Sequence, residues 1–284
     1  MLLLRPLKKK TVRQHSLTYL IFLILSVFSF ENVKGQVLDT ATLNLNAGGY
    51  INDVIYDQGH DCFIVVGKFT SIGGYSRLNL AFIDRQTMDV KTETYLNPIL
   101  AMDGEIRCVE LAKTFTLGVF TYHLFIGGNF SYINTGGGNI SRLGIAKLVA
   151  SQTSIPPSHS NFTVNAWNAE IDMTPLLTGI SAEGVDDILV TNDTVIFSGS
   201  FMAVNSITSP AYRDGIAAYL ISGSTPLNYP LMATGPYDMS RYYCMRKKGA
   251  NLFVGGYING GGIGKGRLFK LDANGNKIFT WIKR

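Results

Sequence analysis

Four stretches of the chain repeat one pattern of apolar and polar positions. In each stretch a short apolar run ends in a glycine, and a further apolar residue follows two positions later. The glycines are Gly67, Gly128, Gly199 and Gly256, and the residues two positions on are Phe69, Phe130, Phe201 and Ile258. Successive glycines are 61, 71 and 57 residues apart. Four copies at this period predict a repeat architecture with one supersecondary unit per copy.

The remainder of each copy follows one plan as well. A loop rich in Gly, Asn and Ser comes after the apolar run, and a basic residue then precedes an alternating apolar strand. The basic residues are Arg77, Arg142, Arg213 and Lys265. Short strands are predicted before the runs, at 52–55, 106–109, 185–189 and 242–245. Aromatic-led strands are predicted after them, at 95–97, at 167–169 with Trp167, at Tyr229 and at Trp281.

Four short strands per copy, with no helical period between them, predict an all-β fold. We expect a β-propeller of four-stranded antiparallel blades, at about residues 47–97, 98–168, 169–230 and 231–284. Residues 37–46 and 277–284 both read as the outermost strand of a blade, so four blades leave one strand over. The chain is therefore expected to form about four blades of an open or incomplete propeller.

The repeated glycine and the aromatic residue after it have a structural interpretation. Glycine inside a strand marks a bulge or a close approach of two backbones. We expect that approach where neighbouring blades pack. The aromatic residue two positions on points to the same face, because side chains alternate along a strand. It would fill the space between blades against Ala81, Ala146 or Ala217.

The first 35 residues have the composition of an export signal. A basic stretch with Arg5, Lys8 and Arg13 precedes a 14-residue apolar run at 17–30, which is short for a membrane span. Cleavage before Gln36 would leave the repeat domain, residues 36–284, secreted or at the cell surface. The alternative is a retained N-terminal anchor.

Removal of this segment changes the charge of the chain. The whole chain has 25 basic and 20 acidic residues, and the segment holds six of the former and one of the latter. The remainder carries 19 of each, so nucleic-acid binding through a global positive field is not supported. No later stretch is apolar enough to span a bilayer.

Three cysteines, Cys62, Cys108 and Cys244, are far apart in the sequence. An odd number without short spacings indicates neither a disulfide framework nor a metal site. We interpret all three as buried strand residues, and the pattern leaves open whether one pair is oxidised.

At these residues the chain resembles the delta-60 repeat family of large secreted bacterial propellers. The family's VGGxF run is matched by residues 66–69, 126–130 and 254–256. The strand after the basic residue is matched by 77–84, and the Trp-Asn element by Trp167-Asn168. The fourth copy departs from the pattern at Ile258, Lys265 and Phe269. The resemblance covers residues 37–284, implies the propeller fold, and says almost nothing about activity.

The four basic residues are the sharpest polar set in the sequence, with two interpretations. They could form a ring that binds an anionic or carbohydrate ligand, or each could bond carbonyl groups of its own blade. Strict repetition favours the structural role, because each copy must solve the same packing problem. The sequence 260–266 (GGGIGKG) lacks the strand–helix context of a phosphate loop. Residues 272–276 read as a hairpin turn rather than a calcium loop.

The sequence therefore predicts neither a cofactor nor a metal, and no catalytic residue can be nominated. The preferred hypothesis is a binding or scaffold module without catalytic activity, part of a larger exported protein, whose partner is an extracellular protein or glycan. The insertions at 112–123 and 151–165 are its best contact candidates. The alternative is a glycan-processing hydrolase with converging carboxylates at the propeller channel.

Overall fold

A computed structural model of the chain describes eleven segments of it. They are residues 43–93, 101–134, 138–154, 157–172, 183–201, 203–204, 211–212, 215–227, 240–258, 265–272 and 277–282. These segments contain strands and turns and no helix, so the fold is all-β, as predicted. The predicted export signal and the strands expected at 95–97 and at Tyr229 lie outside the described residues. Of the strand predicted at 37–46, the described part, 43–46, begins with a turn.

The described strands form four principal antiparallel sheets, one for each copy of the repeat. Sheet 1 has the order β1-β2-β5, with a small hairpin of β3 and β4 between β2 and β5. Its strands are β1 (Tyr50–Asp57), β2 (Cys62–Lys68), β3 (Ser71–Ile72), β4 (Tyr75–Ser76) and β5 (Leu80–Asp84).

Sheet 2 is the largest and has the order β7-β8-β11-β12, with β13 also paired to β11. Strands β6, β9 and β10 form a separate small sheet beside it. The strands are β6 (Ala101–Met102), β7 (Glu105–Thr116), β8 (Val119–Asn129), β9 (Tyr132–Asn134), β10 (Asn139–Ser141), β11 (Ile145–Ser154), β12 (Pro157–His159) and β13 (Thr163–Val164).

Sheets 3 and 4 repeat the same antiparallel path. Sheet 3 comprises β14 (Gly184–Thr191), β15 (Thr194–Ser200) and β18 (Ile216–Leu220), with a small pair of β16 (Ala203–Val204) and β17 (Ala211–Tyr212). Sheet 4 runs in the order β19 (Ser240–Lys248), β20 (Asn251–Ile258), β21 (Lys265–Leu271) and β22 (Lys277–Ile282).

The fourth strand agrees with the prediction in sheet 4 and differs from it in sheet 2. Sheet 4 has a full fourth strand, β22, which contains Trp281, and sheet 2 has the two-residue strand β13. In the described parts of sheets 1 and 3 the chain returns as a single bridge, Ile83 to Val90 and Tyr219 to Pro226. Trp167 was expected in a strand but lies in an irregular segment just after β13. It is nevertheless buried, with 5% of its surface exposed.

Three apolar clusters join successive sheets. The cluster between sheets 1 and 2 includes Ile64 and Phe82 on one side and Ile126 and Phe130 on the other. Phe201 lies in the cluster between sheets 2 and 3, and a third cluster joins sheets 3 and 4. Alternate residues of one strand enter different clusters, since Ile126 faces sheet 1 whereas Phe125 faces sheet 3. This two-sided burial explains why the middle strands are nearly continuous apolar runs.

The four repeat glycines make their close contact within one sheet, not between sheets as expected. Each lies opposite a β-bulge in the first strand of its own sheet. A Cβ on Gly67, Gly128, Gly199 or Gly256 would overlap a carbonyl oxygen of that first strand: Tyr50, Glu105, Gly184 or Arg241, respectively. The bulge pushes this backbone toward the second strand, and only glycine leaves room for it.

The insertion expected at 112–123 is not a separate loop. Strands β7 and β8 extend to 12 and 11 residues and form a long hairpin that ends in the two-residue turn Leu117-Gly118. The described residues of the insertion expected at 151–165 include the end of β11 and the short strands β12 and β13.

Candidate functional site on the first strands of the sheets

The first strands of the four sheets, β1, β7, β14 and β19, carry most of the charged contacts between sheets. Each has its bulge at an equivalent place, so the extra residues Asn52, Arg107, Asp186 and Tyr243 occupy matching positions. The Asn52 amide donates to the carbonyl of Ile106 in the next sheet, at 2.8 Å. The bulges thus turn polar side chains from one sheet toward its neighbour.

Five charged residues form an ionic ladder across sheets 2, 3 and 4: Glu105, Arg107, Glu183, Asp186 and Arg241. Arg107 lies 2.7 Å from Glu105 and 3.0 Å from Asp186. Arg241 binds the other Asp186 oxygen at 2.8 Å and also pairs with Glu183. Asp186 is well buried, at 8% exposure, so the two guanidinium groups supply the charge that its burial requires.

The pKa values of two ladder residues, Glu105 and Arg241, reflect this pairing. Burial opposes ionisation of Glu105, but hydrogen bonds from Tyr50 and Arg107 outweigh it and lower its pKa. The pKa of Arg241 is raised: burial acts against its charge, but Asp186 and Glu183 more than offset that effect. In the ladder, the ion pairs therefore favour the charged forms of Glu105 and Arg241.

A second set of carboxylates on the same strands bonds to backbone N–H groups, and one of them, Asp187, also lies 3.2 Å from the largely exposed Arg246. Asp53 accepts the N–H of Val109 in the next sheet at 3.0 Å, and Asp187 accepts the N–H of Met245 at 2.5 Å. Glu110 accepts the N–H of Val190. Each acid of this carboxylate trio (Asp53, Glu110 and Asp187) caps a backbone donor on the first strand of the following sheet, where an edge strand has no partner.

Two members of the trio, Glu110 and Asp187, are costly to ionise. Burial raises the pKa of Glu110 to about 7, and the nearby charges of Asp53 and Asp187 act in the same direction. Burial also raises the pKa of Asp187, although the N–H of Met245 and the charge of Arg246 oppose the change. Asp186 and Asp187, adjacent in the sequence, therefore belong to different sets, one paired with arginines and one with backbone.

Two of the four repeat basic residues have described side chains, and both bond carbonyl groups. Arg77 donates to Ser76 and Lys91, and Arg142 donates to Ser141 and Asn165. In each case one carbonyl is that of the preceding residue and the other lies after the third long strand. This arrangement ties the basic loop to the returning chain. Arg213 and the side chains of Lys265 and Trp281 lie outside the described residues.

The cysteines are free thiols, and only two are buried. Cys62 and Cys108 are buried, and burial raises the pKa of both, for Cys62 to about 12. Cys244 is exposed, contrary to the prediction. It occupies the position of Cys108, which sheet 3 covers through Val185. On sheet 4 this face points away from sheet 3.

The tip of the β7–β8 hairpin is the most exposed apolar feature of the described chain. Leu117 is 97% exposed and Phe115 is 59% exposed, and the Phe115 ring centroid lies 4.5 Å from that of Phe120. Lys113 sits over the Phe120 ring at 4.1 Å. The tip is thus apolar with one cation beside it.

Several of these residues were not found from the sequence. Asp53, Glu110 and Asp187 carry no motif, and the register of bulged strands decides what they reach. A signal was present only in the alternation of Asp and Cys at the equivalent positions 53, 108, 187 and 244. Within the described segments no group of three or more His, Cys, Asp or Glu is placed to hold a metal ion, and no helix has the length and apolar character of a membrane span.

Comparison with protein-family models and with curated proteins finds no match for this chain.

Proposed function

We propose that this protein is a secreted or cell-surface binding module, built as a delta-60-like propeller and forming part of a larger exported protein. It presents a rigid stack of sheets from which the β7–β8 hairpin extends to contact an extracellular partner. The support comes from the packed apolar clusters between sheets and from the hairpin tip.

Leu117 is the observation that carries the proposal. It is the first residue of a two-residue turn and has a φ of 50°, in the left-handed region, which disfavours a residue with a bulky side chain. The equivalent turn positions in sheets 3 and 4 hold Asn192 and Gly249, which tolerate this backbone. Leu117 is therefore both strained and fully exposed. Strain that folding does not require points to function.

The test is the substitution Leu117→Asn. Relief of the strained backbone predicts a gain in stability of about 0.5–1 kcal/mol by chemical denaturation. Binding of the labelled, purified exported chain to a glycan array and to the surface of the cells that export it should fall. The matched control is Leu220→Asn, since Leu220 is 38% exposed at the end of a strand elsewhere. Equal binding by the wild type and Leu117→Asn contradicts the proposal.

Glycan hydrolysis is the second candidate, and one feature favours it. Glu110, with its pKa near 7, is an acid able to hold a proton at neutral pH. Hydrolysis also needs a second carboxylate, ionised and roughly 5–10 Å away. Release of the aryl group from p-nitrophenyl glycosides, abolished by Glu110→Gln, supports a hydrolase. Absence of release across the common hexosides favours the binding module.

A further inference from the structure

A polar cleft of about 370 Å³ opens between sheets 1 and 2, at the start of their first strands. Its wall includes Tyr50 and Lys68 from sheet 1 and Glu105 and Asn129 from sheet 2. Asp103 and Ser131, from the chain next to sheet 2, complete it. The volume lies within the range of small-molecule sites, but the lining is polar where such sites are usually apolar.

Tyr50 is held as a fixed aromatic wall of this cleft. The residue is 43% exposed, and its hydroxyl donates to the Glu105 carboxylate. Arg107 holds Glu105 in turn from the other side, at 2.7 Å. A partly exposed ring oriented by its hydroxyl presents an apolar face to a ligand without further ordering.

Asp103 is similarly fixed by its surroundings. One of its oxygens accepts the N–H of Ser131 at 2.7 Å, and the other accepts the Ser131 hydroxyl at 2.5 Å. Lys68 and Asn129 stand at the ends of β2 and β8 with exposed side chains. The cleft therefore combines oriented acceptors, an amide and an ammonium donor around one aromatic face.

At the later junctions, arginine side chains from the first strands bond across to the neighbouring sheet. Arg107 extends from its bulge to the Glu183 carbonyl at 2.8 Å, and Arg241 reaches Glu183 and Asp186. In sheet 1 the bulge residue is Asn52, which is short and already bonded to Ile106. The first junction therefore has a short amide at the bulge position from which Arg107 reaches across the next junction.

We propose that this cleft binds a neutral or amino sugar unit of a glycan. Sugar hydroxyls both donate and accept, which suits the mixture of carboxylate, amide and ammonium groups, while the C–H face of the ring suits Tyr50. Two carboxylates against one lysine disfavour an anionic ligand. The inference rests on the proposed binding function and assigns its ligand class.

Methyl glycosides of glucose, galactose, mannose and N-acetylglucosamine are the probes, titrated into the purified exported chain up to roughly 10 mM by calorimetry or NMR. At least one should bind, and Tyr50→Ala should weaken it about tenfold or more. The matched control is Tyr56→Ala. Tyr56 lies on the same strand, is 47% exposed and donates to Asp61 at 2.6 Å, but it does not line the cleft.

A second variant, Asn129→Ala, keeps the test valid if loss of the Tyr50–Glu105 bond unfolds the chain. Binding lost in both cleft variants and retained in Tyr56→Ala supports the inference. Absence of binding by every probe, or binding that both cleft variants retain, overturns it. Because Leu117 does not line the cleft, a hairpin-dependent partner would still support the proposed function in that case.

Discussion

The junction between sheets 2 and 3, the middle junction, caps its strand edge differently from the two flanking junctions. In the flanking junctions, Asp53 and Asp187 occupy equivalent positions and reach the N–H of Val109 and Met245. The middle junction has Cys108 at that position, and a thiol is a weak acceptor. Glu110, two residues on and on the same face, bonds Val190 instead. The fold therefore requires a capped edge, but not at one fixed position.

The two solutions differ in electrostatic cost. Asp187 lies 3.2 Å from Arg246, which compensates part of its charge, although that arginine is largely exposed. Glu110 forms no ion pair within the described chain, and burial brings its pKa to about 7. At neutral pH the ionised form of Glu110 therefore destabilises the middle junction, because its charge is buried without an ion pair among the described residues. Other contacts must stabilise this junction.

Aromatic packing is that other source, and its removal should have the largest effect. Trp167 makes edge-on contacts with Phe125 and Tyr219, with ring centroids 5.7 and 5.4 Å away. Trp167→Ala empties this space and should cost about 3–5 kcal/mol of unfolding free energy, measured by denaturant titration. The control is Tyr243→Ala, since Tyr243 is 51% exposed and should matter little. A loss below about 1 kcal/mol for Trp167→Ala would show that the aromatic cluster does not hold the middle junction.

The sequence predicted the middle of each sheet well and the contacts between sheets poorly. Apolar runs such as 64–66 and 124–127 are buried on both faces, so hydrophobicity alone located β2 and β8. The fourth strands expected at 95–97 and at Tyr229 lie outside the described residues and stay predictions, and the described chain before them makes single bridges at Val90 and Pro226. Neither the ionic ladder nor the carboxylate trio could be predicted, because a one-residue bulge decides which neighbour Asp186 or Asp187 meets.

A second test gives the junction between sheets 3 and 4 the capping arrangement of the middle junction. Asp187→Cys reproduces Cys108 and leaves the Met245 N–H without its acceptor, at a cost of about 1–3 kcal/mol. Leu189 stands at the position that Glu110 holds in sheet 2. Addition of Leu189→Glu should therefore restore part of the loss by capping Lys247.

A double-mutant cycle measures that restoration. Leu189→Glu alone should destabilise, because Leu189 packs against the apolar cluster between sheets 3 and 4. Combined with Asp187→Cys it should show a favourable coupling of about 1 kcal/mol. Strict additivity of the two changes would mean that the shifted cap of the middle junction is not transferable.

The smallest expected effect tests the charge of Glu110 itself. Because its pKa in the folded chain is raised from 4.5 to about 7, the folded state binds the proton more tightly than the unfolded state. The contribution of Glu110 to the free energy of unfolding therefore becomes more destabilising as pH rises from 4.5 to about 7. Glu110→Gln keeps an oxygen for the Val190 N–H and removes the charge. It should stabilise the chain by about 1 kcal/mol near pH 8 and by almost nothing near pH 4.5.

Glu105→Gln is the matched control for this pH dependence, since the same strand carries it within the ionic ladder. The pKa of Glu105 is lowered, so its ionised form stabilises the fold above its ordinary pKa and that stabilisation is lost as pH falls. Glu105→Gln should therefore destabilise near pH 8, the opposite sign to Glu110→Gln. Denaturant titrations of both variants at the two pH values decide the matter. If both substitutions changed the free energy of unfolding in the same direction at pH 8, acids paired with arginine and acids that cap backbone N–H groups would not differ in the way proposed.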